Sequence, residues 1–293
     1  GSVLLPKLYQ HEVTTLDIGW FGGRPDLRED IRTVKIKGHY DAFIHLAGIA
    51  NDPCGDLDSK LTWEVNVLAV KFLIEQAIQS GAKQFIYASS ASVYGLHEGK
   101  ELVETDELAP VSDYNKTKMC AERILLSYPE IKVQIIRPAT VCGFSPRMRL
   151  DTMVNMLTYQ ALSEKRITAH CGEHGGELMR PNIHIQDITD LYVFMLNHPE
   201  LTGIYNASFE NLSAMETALM IVKEIPSEIE ITQVKDKRSY RVNSDKLLKT
   251  GFKPRLTVKH AIRELRAKWE AGELVKTPMS TNLTWMRDNG WAR

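Results

Sequence analysis

Short apolar runs rich in β-branched and aromatic residues alternate with longer stretches of helical periodicity in the first half of the chain. This alternation is typical of parallel strands joined by helices, because the strands of a buried parallel sheet are apolar on both faces. We predict strands at residues 11–16, 42–46, 84–89 and 132–136 and helices at residues 61–81 and 114–126. Gly81 supplies a stop signal for the first helix. The pattern predicts a doubly wound α/β domain over residues 1–143.

The alternation weakens after residue 143. Helical patterns at residues 152–162, 187–197 and 257–272 are combined with strand-like alternation at residues 228–234. We therefore expect a smaller, mixed α/β region over residues 144–293 that closes over a cleft. Within it, residues 181–200 are expected to return to the first domain.

Composition excludes several classes of protein. The 36 basic and 37 acidic residues leave a net charge of -1, with no basic excess for binding nucleic acid. No apolar run approaches the roughly 20 residues that cross a bilayer, so no membrane span is expected. The four cysteines form no C-x-x-C pair, which favours reduced thiols in a cytoplasmic protein. His170, Cys171 and His174 share a glycine-containing loop without a second cluster, and no metal site is predicted.

Tyr114 and Lys118 form a candidate catalytic pair. Side chains four residues apart lie on one face of a helix. A nearby ammonium favours the phenolate and lowers the phenol pKa from its reference value of about 10. A tyrosine with this environment can remove the proton of an alcohol while a hydride leaves. Tyr128 and Lys132 have the same spacing, but Pro129 and a following strand argue against a helix there.

Three serines lie at and beyond the end of the strand predicted at residues 84–89. They are Ser89, Ser90 and Ser92 of the run SSASVYG. Open α/β sheets bind their ligands at the carboxyl ends of the strands. A serine at this position can hydrogen-bond the substrate oxygen that Tyr114 deprotonates.

Four motifs in this order resemble those of a known family. They are SSASVYG at residues 89–95, the Tyr114/Lys118 pair, IIRPATVCG at residues 135–143 and RPNIHIQD at residues 180–187. Over nearly its whole length the chain resembles extended short-chain dehydrogenases/reductases of the NAD-dependent nucleotide-sugar epimerase/dehydratase family. The resemblance implies a Rossmann-like domain that binds NAD and a C-terminal region that binds a nucleotide sugar. It also implies a homodimer formed through the helices at residues 61–81 and 114–126.

The resemblance implies roles for individual residues. Tyr114 would be the general base, Lys118 would lower its pKa and hold the nicotinamide ribose, and Ser90 would be the catalytic hydroxyl. Asp17 would bind the adenosine ribose, and a carboxylate there favours NAD over NADP. The implied cofactor-binding residues are Gly1, Asp17, Asp30, Ile31, Leu46, Ala47, Gly48, Asn66, Ser89, Tyr114, Lys118 and Pro138. The implied substrate-binding residues are Ser90, Ser92, Thr140, Arg180 and Arg238, with the two arginines on the diphosphate.

Two further arginines, Arg147 and Arg149, stand in the short run SPRMR. They lie near the mouth of the implied substrate site. Two arginines in such a run are equally typical of a solvated loop, so no role is assigned to them from the sequence.

The residues after Ser90 narrow the choice of reaction. By resemblance, 4,6-dehydratases carry Asp-Glu directly after the catalytic Ser/Thr, and this chain has Ala91 and Ser92. Members that epimerise at C3 and C5 commonly have Cys in place of Ser92, whose hydroxyl is too weak an acid for that step. We therefore predict hydride transfer at the sugar C4, with 4-epimerisation of the UDP-glucose 4-epimerase kind ranked first. A 4-dehydrogenase or reductase giving a 4-keto sugar, a small-carbonyl reductase and a non-catalytic NAD-binding protein stay open.

Gly1 is predicted to be the last glycine of a glycine-rich turn. Family members begin with a strand and a G-x-x-G-x-x-G turn, whose backbone approaches the pyrophosphate at a helix N-terminus. Residues 2–8 would form that helix. The resemblance therefore implies that a first strand and two glycines precede Gly1.

Overall fold

The computed structural model describes residues 1–97, 99–172, 176–234 and 239–291, so Arg238 and His174 lie outside the described residues. The strands are β1 (Ala42–His45), β2 (Gln84–Ala88), β3 (Glu101–Leu102), β4 (Lys132–Pro138), β5 (Thr140–Cys142), β6 (Arg166–Cys171), β7 (Met179–His184), β8 (Gly203–Ala207), β9 (Glu210–Ser213), β10 (Glu228–Gln233) and β11 (Arg241–Val242). The helices are α1 (Asp52–Gly55), α2 (Ser59–Trp63), α3 (Ala69–Gln79), α4 (Asp113–Leu126), α5 (Met153–Glu164), α6 (Ile185–Asn197), α7 (Ala214–Glu224), α8 (Asp245–Leu248), α9 (Val258–Glu270) and α10 (Asn282–Asp288). In the described ranges, none of these helices has both the length and the apolar character needed to cross a membrane.

Four parallel strands form the central sheet in the order β1–β2–β4–β8. The register places Ala42 opposite Gln84 and Gln134 opposite Gly203. Strands β1, β2 and β4 coincide with the strands predicted at residues 42–46, 84–89 and 132–136. The predicted parallel α/β fold is confirmed.

Helices cover both faces of the central sheet. On one face, Phe85 and Tyr87 of β2 pack with apolar residues of α3 and α4. On the other face, Ile86 and Ile136 pack with apolar residues of α6. Successive strand residues point to opposite faces, so β2 is buried on both sides. The strands therefore end together at one edge of the sheet, where doubly wound proteins bind ligands.

The helix predicted at residues 61–81 begins two residues earlier, at Ser59. It passes from α2 through a π-helical turn at Glu64–Leu68 into α3, which ends at Gln79. Gly81 then adopts a φ of 89°, and a Cβ there would lie 2.5 Å from the His39 ring. A residue with a side chain would not fit after the end of α3, which explains why residue 81 is a glycine.

Residues 11–16 do not form the predicted strand. Asp17 and Thr15 exchange backbone hydrogen bonds with Leu27, and the Thr15 side chain and amide bond to Asp26. These polar groups are thus satisfied within a local loop, whereas a strand needs a continuous ladder with a neighbour. Apolar alternation alone does not supply that neighbour.

The helix expected at residues 2–8 is also shorter than predicted. The structure has a single 3₁₀ turn at Leu5–Leu8, with Pro6 near its start. A proline cannot donate a backbone hydrogen bond, and one isolated turn fixes many dihedral angles for few bonds. The segment therefore stops after one turn.

The second half of the chain has its own core. Helices α5, α7 and α9 contribute Leu157, Ile221 and Ile262 to a buried cluster with Ile167 of β6. Strand β6 pairs in parallel with β10, and β5, β7 and β9 form a mixed three-stranded sheet. A division of the chain after residue 143 stays a prediction.

Candidate active site

A cleft of about 1500 Å³ runs along β1 and past the carboxyl ends of β2 and β4. The predicted site residues that line it are Gly1, Asp17, Ile31, Leu46, Ala47, Gly48, Ser89, Ser90, Ser92, Tyr114, Pro138, Thr140 and Arg180. Lys118 and Asn66 lie behind the cleft wall, since a Cβ on Gly48 would be 3.8 Å from Lys118 Nζ and 2.8 Å from Asn66 Oδ1. Asp30 is turned to another partner, because its carboxylate pairs with the Arg32 guanidinium at 2.7 Å.

Helix α4 presents Tyr114 and Lys118 on one face. Ser112 caps the helix by accepting a hydrogen bond from the Asn115 amide at 3.2 Å, which satisfies an otherwise unpaired donor. Lys118 Nζ then lies 5.9 Å from the centroid of the Tyr114 ring. Tyr128 follows the end of α4 and donates to Glu75 instead. Of the two Tyr/Lys pairs with this spacing, only Tyr114 and Lys118 therefore lie on one helix.

Lys118 is buried, with 6% of its surface exposed. Its Nζ donates to the Ala88 carbonyl at 2.8 Å and lies 4.8 Å from the centroid of the Tyr87 ring. Burial lowers the pKa of Lys118 to about 8, while the nearby Glu122 carboxylate acts in the opposite direction. The end of β2 therefore holds an ammonium that is easier to deprotonate than an exposed one.

The phenol of Tyr114 has a pKa above its ordinary value. Burial is the largest cause, a hydrogen bond with Ser90 opposes it, and the charges of Asp52 and Arg149 respectively raise and lower the pKa. The lowering expected from Lys118 is not among these causes, and burial outweighs the contributions of Ser90 and Arg149. Tyr114 therefore depends on neighbouring hydrogen-bond donors and cations to act as a base.

A chain of hydrogen bonds joins Ser90 to Asp52. The hydroxyls of Ser90 and Ser92 are 2.7 Å apart, and Ser92 Oγ donates to Asn115 Oδ1 at 2.5 Å. The Asn115 amide group donates in turn to Asp52 Oδ1 at 2.9 Å. Ser112 also donates to that carboxylate oxygen. Both cleft serines are therefore linked by hydrogen bonds to a carboxylate at the start of α1.

Asp52 is a member of the site that the sequence analysis missed. The preceding residue, Asn51, has φ 74° and ψ 159°, a costly conformation for a residue with a side chain and one that clusters at functional sites. Gly55 lets α1 approach α4, since a Cβ there would lie 3.0 Å from Tyr114 Cβ. The Asn-Asp-Pro turn signal indicates this loop in the sequence, but it does not indicate which helix the loop contacts.

Asn66 ties the turn after β1 to the π-helical turn. Its side chain accepts from the Ile49 amide at 2.9 Å and donates to the Ile49 carbonyl at 3.0 Å. It also donates to Thr117 Oγ1 of α4 at 3.2 Å. Gly48 has no room for a Cβ beside this amide. The Asn66 side chain thus supports the backbone behind the cleft wall, and the cofactor contact implied for it stays a prediction.

Arginines line the cleft from the second half of the chain. Arg180 of β7 donates to the Met179 carbonyl at 3.0 Å. Arg147 and Arg149, to which the sequence assigned no role, also line the cleft. The loop that carries them therefore borders the cleft.

The cysteines and histidines of the described ranges provide no metal site. Within those ranges, no group of three His, Cys, Asp or Glu side chains is arranged to hold a metal ion. Cys54, Cys120, Cys142 and Cys171 are free thiols. Burial raises the pKa of Cys54 to about 11, which makes it a weak nucleophile.

Comparison with known proteins identifies the family. Residues 9–208 match the model of the NAD dependent epimerase/dehydratase family. GDP-6-deoxy-D-mannose reductase of Pseudomonas aeruginosa is 25% identical over 248 residues, which cover 79% of this chain and 81% of the relative. dTDP-D-glucose 4,6-dehydratase of Mus musculus is 27% identical over 219 residues, which cover 68% of this chain and 59% of the relative. The chain belongs to the NAD-dependent epimerase/dehydratase family of enzymes.

Solved structures show the same fold. The UDP-glucose 4-epimerase of Thermus thermophilus, in complex with NAD, superposes with a TM-score of 0.77 at 22% identity, covering 91% of this chain and 95% of that one. The RMD protein of Pseudomonas aeruginosa, complexed with NADPH, superposes with a TM-score of 0.70 at 24% identity, covering 79% of this chain and 82% of that one. The Rossmann-like fold expected from the sequence is confirmed.

Proposed function

We propose that this enzyme transfers a hydride between C4 of a nucleotide sugar and NAD, with 4-epimerisation as the net reaction. The observation that carries the proposal is the placement of Ser90 and Tyr114 on the wall of one cleft, with Lys118 Nζ 5.9 Å from the centroid of the Tyr114 ring. Ala91 and Ser92 place no carboxylate directly after Ser90. This supports hydride transfer without elimination of water.

The cleft residues fit a bound NAD. His45 Nε2 and the Tyr87 hydroxyl are buried and have no hydrogen-bond partner among the described residues, and His45 lines the cleft. Asp17 lines the cleft, where its carboxylate would hold the adenosine ribose. Lys118 Nζ lies behind Gly48 and donates to the Ala88 carbonyl, and it would have to turn into the cleft to hold the nicotinamide ribose. When bound, NAD supplies a hydride acceptor that can also return the hydride.

In this proposal, side chains of the protein transfer the proton. Tyr114 takes the proton of the C4 hydroxyl and later returns it to the ketone oxygen, while Ser90 hydrogen-bonds the same oxygen. Because burial raises the pKa of Tyr114, its base form needs cationic neighbours. Arg149 supplies such a charge, since it lowers the pKa of Tyr114, and Lys118 Nζ lies 5.9 Å from the ring centroid.

A substrate panel with matched tyrosine variants tests the proposal. UDP-, GDP-, dTDP- and CDP-sugars are incubated with the enzyme and NAD, with NADH absorbance and epimer formation followed together. Tyr114→Phe should lower turnover by about 10²- to 10⁴-fold. Tyr128→Phe removes a tyrosine with the same lysine spacing, and it should leave turnover unchanged. Full turnover by Tyr114→Phe would refute the assignment.

A 4-keto-sugar reductase or dehydrogenase is the second candidate. The P. aeruginosa relative, matched over 79% of this chain, is named as a reductase of a GDP-6-deoxy sugar. The same panel separates the two reactions, because a dehydrogenase accumulates NADH and a 4-keto product. An epimerase returns its hydride and accumulates neither.

We also propose a cytoplasmic homodimer formed through the helices around the cleft. Leu68 of the π-helical turn is 63% exposed and Leu126 at the end of α4 is 49% exposed. A second copy covering these side chains would remove apolar surface from water. Light scattering at micromolar concentration tests this, and a monomer would contradict it.

A further inference from the structure

Asp52 holds two residues of the first turn of α4. Its Oδ1 accepts a hydrogen bond from the side-chain amide of Asn115 at 2.9 Å and another from the hydroxyl of Ser112. Ser112 is the N-cap of α4 and Asn115 lies in its first turn, so Tyr114 stands between the two residues that Asp52 holds. A carboxylate from 60 and 63 positions away in the sequence therefore fixes the turn that carries the phenol.

The short helix α1, which carries Asp52, is anchored from the other side. Thr62 of α2 is fully buried, and its hydroxyl donates to the Gly55 carbonyl at 2.9 Å. The Asn51 side chain accepts from the Cys54 amide at 2.9 Å, and the φ of 74° at Asn51 is one that persists only where the surrounding structure enforces it. The position of Asp52 is therefore set independently of α4.

Asn115 extends this contact to the serines of the cleft. Its side chain is fully buried, and its Oδ1 accepts from Ser92 Oγ at 2.5 Å. Ser92 Oγ lies in turn 2.7 Å from Ser90 Oγ. An ionised carboxylate can only accept hydrogen bonds, so Asp52 selects the amide nitrogen of Asn115 and leaves the amide oxygen for Ser92. Asp52 thus determines which way the Asn115 amide faces.

We propose that Asp52 is a positioning residue that holds the Tyr114 phenol and the Ser90 hydroxyl in register for proton transfer at one sugar oxygen. The inference rests on the proposed function and adds a residue to its mechanism. Tyr114 comes from a helix and Ser90 from the end of a strand, and Asp52 reaches both through Asn115. A misplacement of about 1 Å can cost about 10²-fold in rate. Asp52 acts through these side chains and takes up no proton itself.

Substitutions at the two ends of α1 test this role with the sugars of the panel that the wild-type enzyme converts. Asp52→Ala removes both hydrogen bonds, and kcat should fall by about 10- to 100-fold. KM should change by less than about threefold, because the lost contacts act on the reacting groups. Asp52→Asn keeps an oxygen that can accept both bonds, and its kcat should lie within about fivefold of the wild-type value. Asp56→Ala removes an exposed carboxylate at the C-cap of the same helix, and both constants should stay unchanged.

A double-mutant cycle with Tyr114→Phe shows whether Asp52 acts through the phenol. Each variant is assayed at its own pH optimum, because the Asp52 charge raises the pKa of Tyr114. In the Tyr114→Phe background, Asp52→Ala should lower the remaining turnover by less than about threefold, since residues that act as a unit are not additive. Fully additive losses would place Asp52 in another step and overturn the inference.

An exchange of the two side chains tests the contact by a second route. Asn115→Asp sets two carboxylates against each other and should lower kcat, because like charges repel. Adding Asp52→Asn restores one amide and one carboxylate across the same contact, and it should recover turnover. A double variant no faster than Asn115→Asp alone would contradict the positioning role.

NAD titration and thermal unfolding of the same variants separate positioning from a general loss of structure. Asp52→Ala should bind NAD as the wild-type enzyme does. Unchanged kcat in Asp52→Ala, or parallel losses of kcat and NAD binding, would overturn the inference and leave the proposed function standing. A kcat for Asp52→Asn as low as that of Asp52→Ala would assign proton transfer to the carboxylate and also overturn it. A wild-type enzyme that converts none of the panel sugars would remove the proposed function and the inference together.

Discussion

Glu122 of α4 and Arg137 of β4 form a bidentate ion pair in the interior, where each side chain is 2% exposed. Glu122 also accepts from Ser89 Oγ at 2.5 Å, and Arg137 donates to the Tyr94 hydroxyl at 2.8 Å. The pair therefore connects the helix that carries Tyr114 to two neighbouring strands. A buried charge that loses its partner is strongly destabilising.

Glu122→Ala should lower the free energy of unfolding by about 3 to 5 kcal/mol, because it leaves the Arg137 charge buried without a partner. Urea denaturation followed by circular dichroism measures this. Glu270→Ala is the matched control, since its pair with Arg266 is exposed. Exposed pairs contribute about 0 to 1 kcal/mol. Similar effects of the two substitutions would contradict the buried role.

The pKa of Lys118 predicts how stability depends on pH. The folded-state value of about 8 lies below the ordinary lysine value of about 10.4, so the unfolded chain binds this proton more tightly. The cost of burying the charge is fully present below pH 8 and is relieved as the pH rises toward 10. The difference in unfolding free energy between the wild-type protein and Lys118→Met should therefore rise above pH 8, at up to about 1.4 kcal/mol per pH unit.

Urea titrations at pH 7, 8, 9 and 10 provide that measurement. Lys71→Met is the control, because Lys71 is an exposed helix residue paired with Glu75 and its pKa is raised. Its difference from the wild-type protein should stay flat between pH 7 and 9. A flat curve for Lys118→Met as well would show that the buried ammonium does not titrate in this range.

Ser90→Ala should shift the pH dependence of turnover. The hydrogen bond from Ser90 opposes the rise in the pKa of Tyr114, so removing it raises that pKa further. Turnover near pH 7 should fall by about 10- to 100-fold, as expected for a hydrogen bond to a charged group. The rising limb of the turnover profile should move to higher pH.

The pH profile of Ser90→Ala shows whether the loss of turnover comes from the changed pKa of Tyr114. Partial recovery of Ser90→Ala at alkaline pH supports an effect on Tyr114, whereas an equal loss at every pH would indicate a purely geometric role. Ser163→Ala serves as the control, because Ser163 is exposed on α5 and bonds only to the Tyr159 carbonyl of its own helix. Its profile should match that of the wild-type enzyme.

Gly95→Ala should disrupt the turn that carries Ser90 and Ser92. Gly95 has a φ of 72°, and a Cβ there would lie 1.9 Å from the Ala109 carbonyl oxygen. Gly272 has the same φ of 72° with nothing within 4 Å of its Cβ position. Gly272→Ala should therefore cost only the left-handed conformation, about 1 to 2 kcal/mol.

Thermal unfolding of the two alanine variants separates the cost of the left-handed backbone conformation from the cost of the steric contact with Ala109. The melting temperature of Gly95→Ala should fall well below that of Gly272→Ala, because backbone atoms must move to admit the methyl group. Equal melting temperatures would show that the loop containing Ala109 adapts without cost. Turnover should fall in Gly95→Ala alone.

Much of the fold follows from local patterns. Strands β1, β2 and β4 are predicted because continuous apolar runs need burial on both faces. The helix with Tyr114 and Lys118 is predicted from the helical periodicity of residues 114–126, and the four-residue spacing then places both side chains on one face. Residues 11–16 have the same apolar signal without a sheet neighbour, so the prediction of a strand there is wrong.

The site was only partly predictable because several of its contacts join distant segments. The Asp52 carboxylate reaches Asn115 across 63 positions of sequence, and no local period marks such a contact. Arg147 likewise meets Asn282 from 135 positions away. Motif order, rather than period, made Ser90 and Tyr114 candidates, and the structure places both on the cleft.

Ser89 and Ser90 are adjacent in sequence and face different surroundings. Ser89 bonds inward to Glu122, while Ser90 reaches the cleft and bonds to Ser92. Glu122 contacts both Ser89 after β2 and Arg137 in β4, so one carboxylate fixes the alignment of the two strands. A slip of one residue would exchange the inward and outward faces of β2. Directed evolution of this cleft should therefore leave residues 89, 122 and 137 unchanged, because they hold β2 and β4 in register.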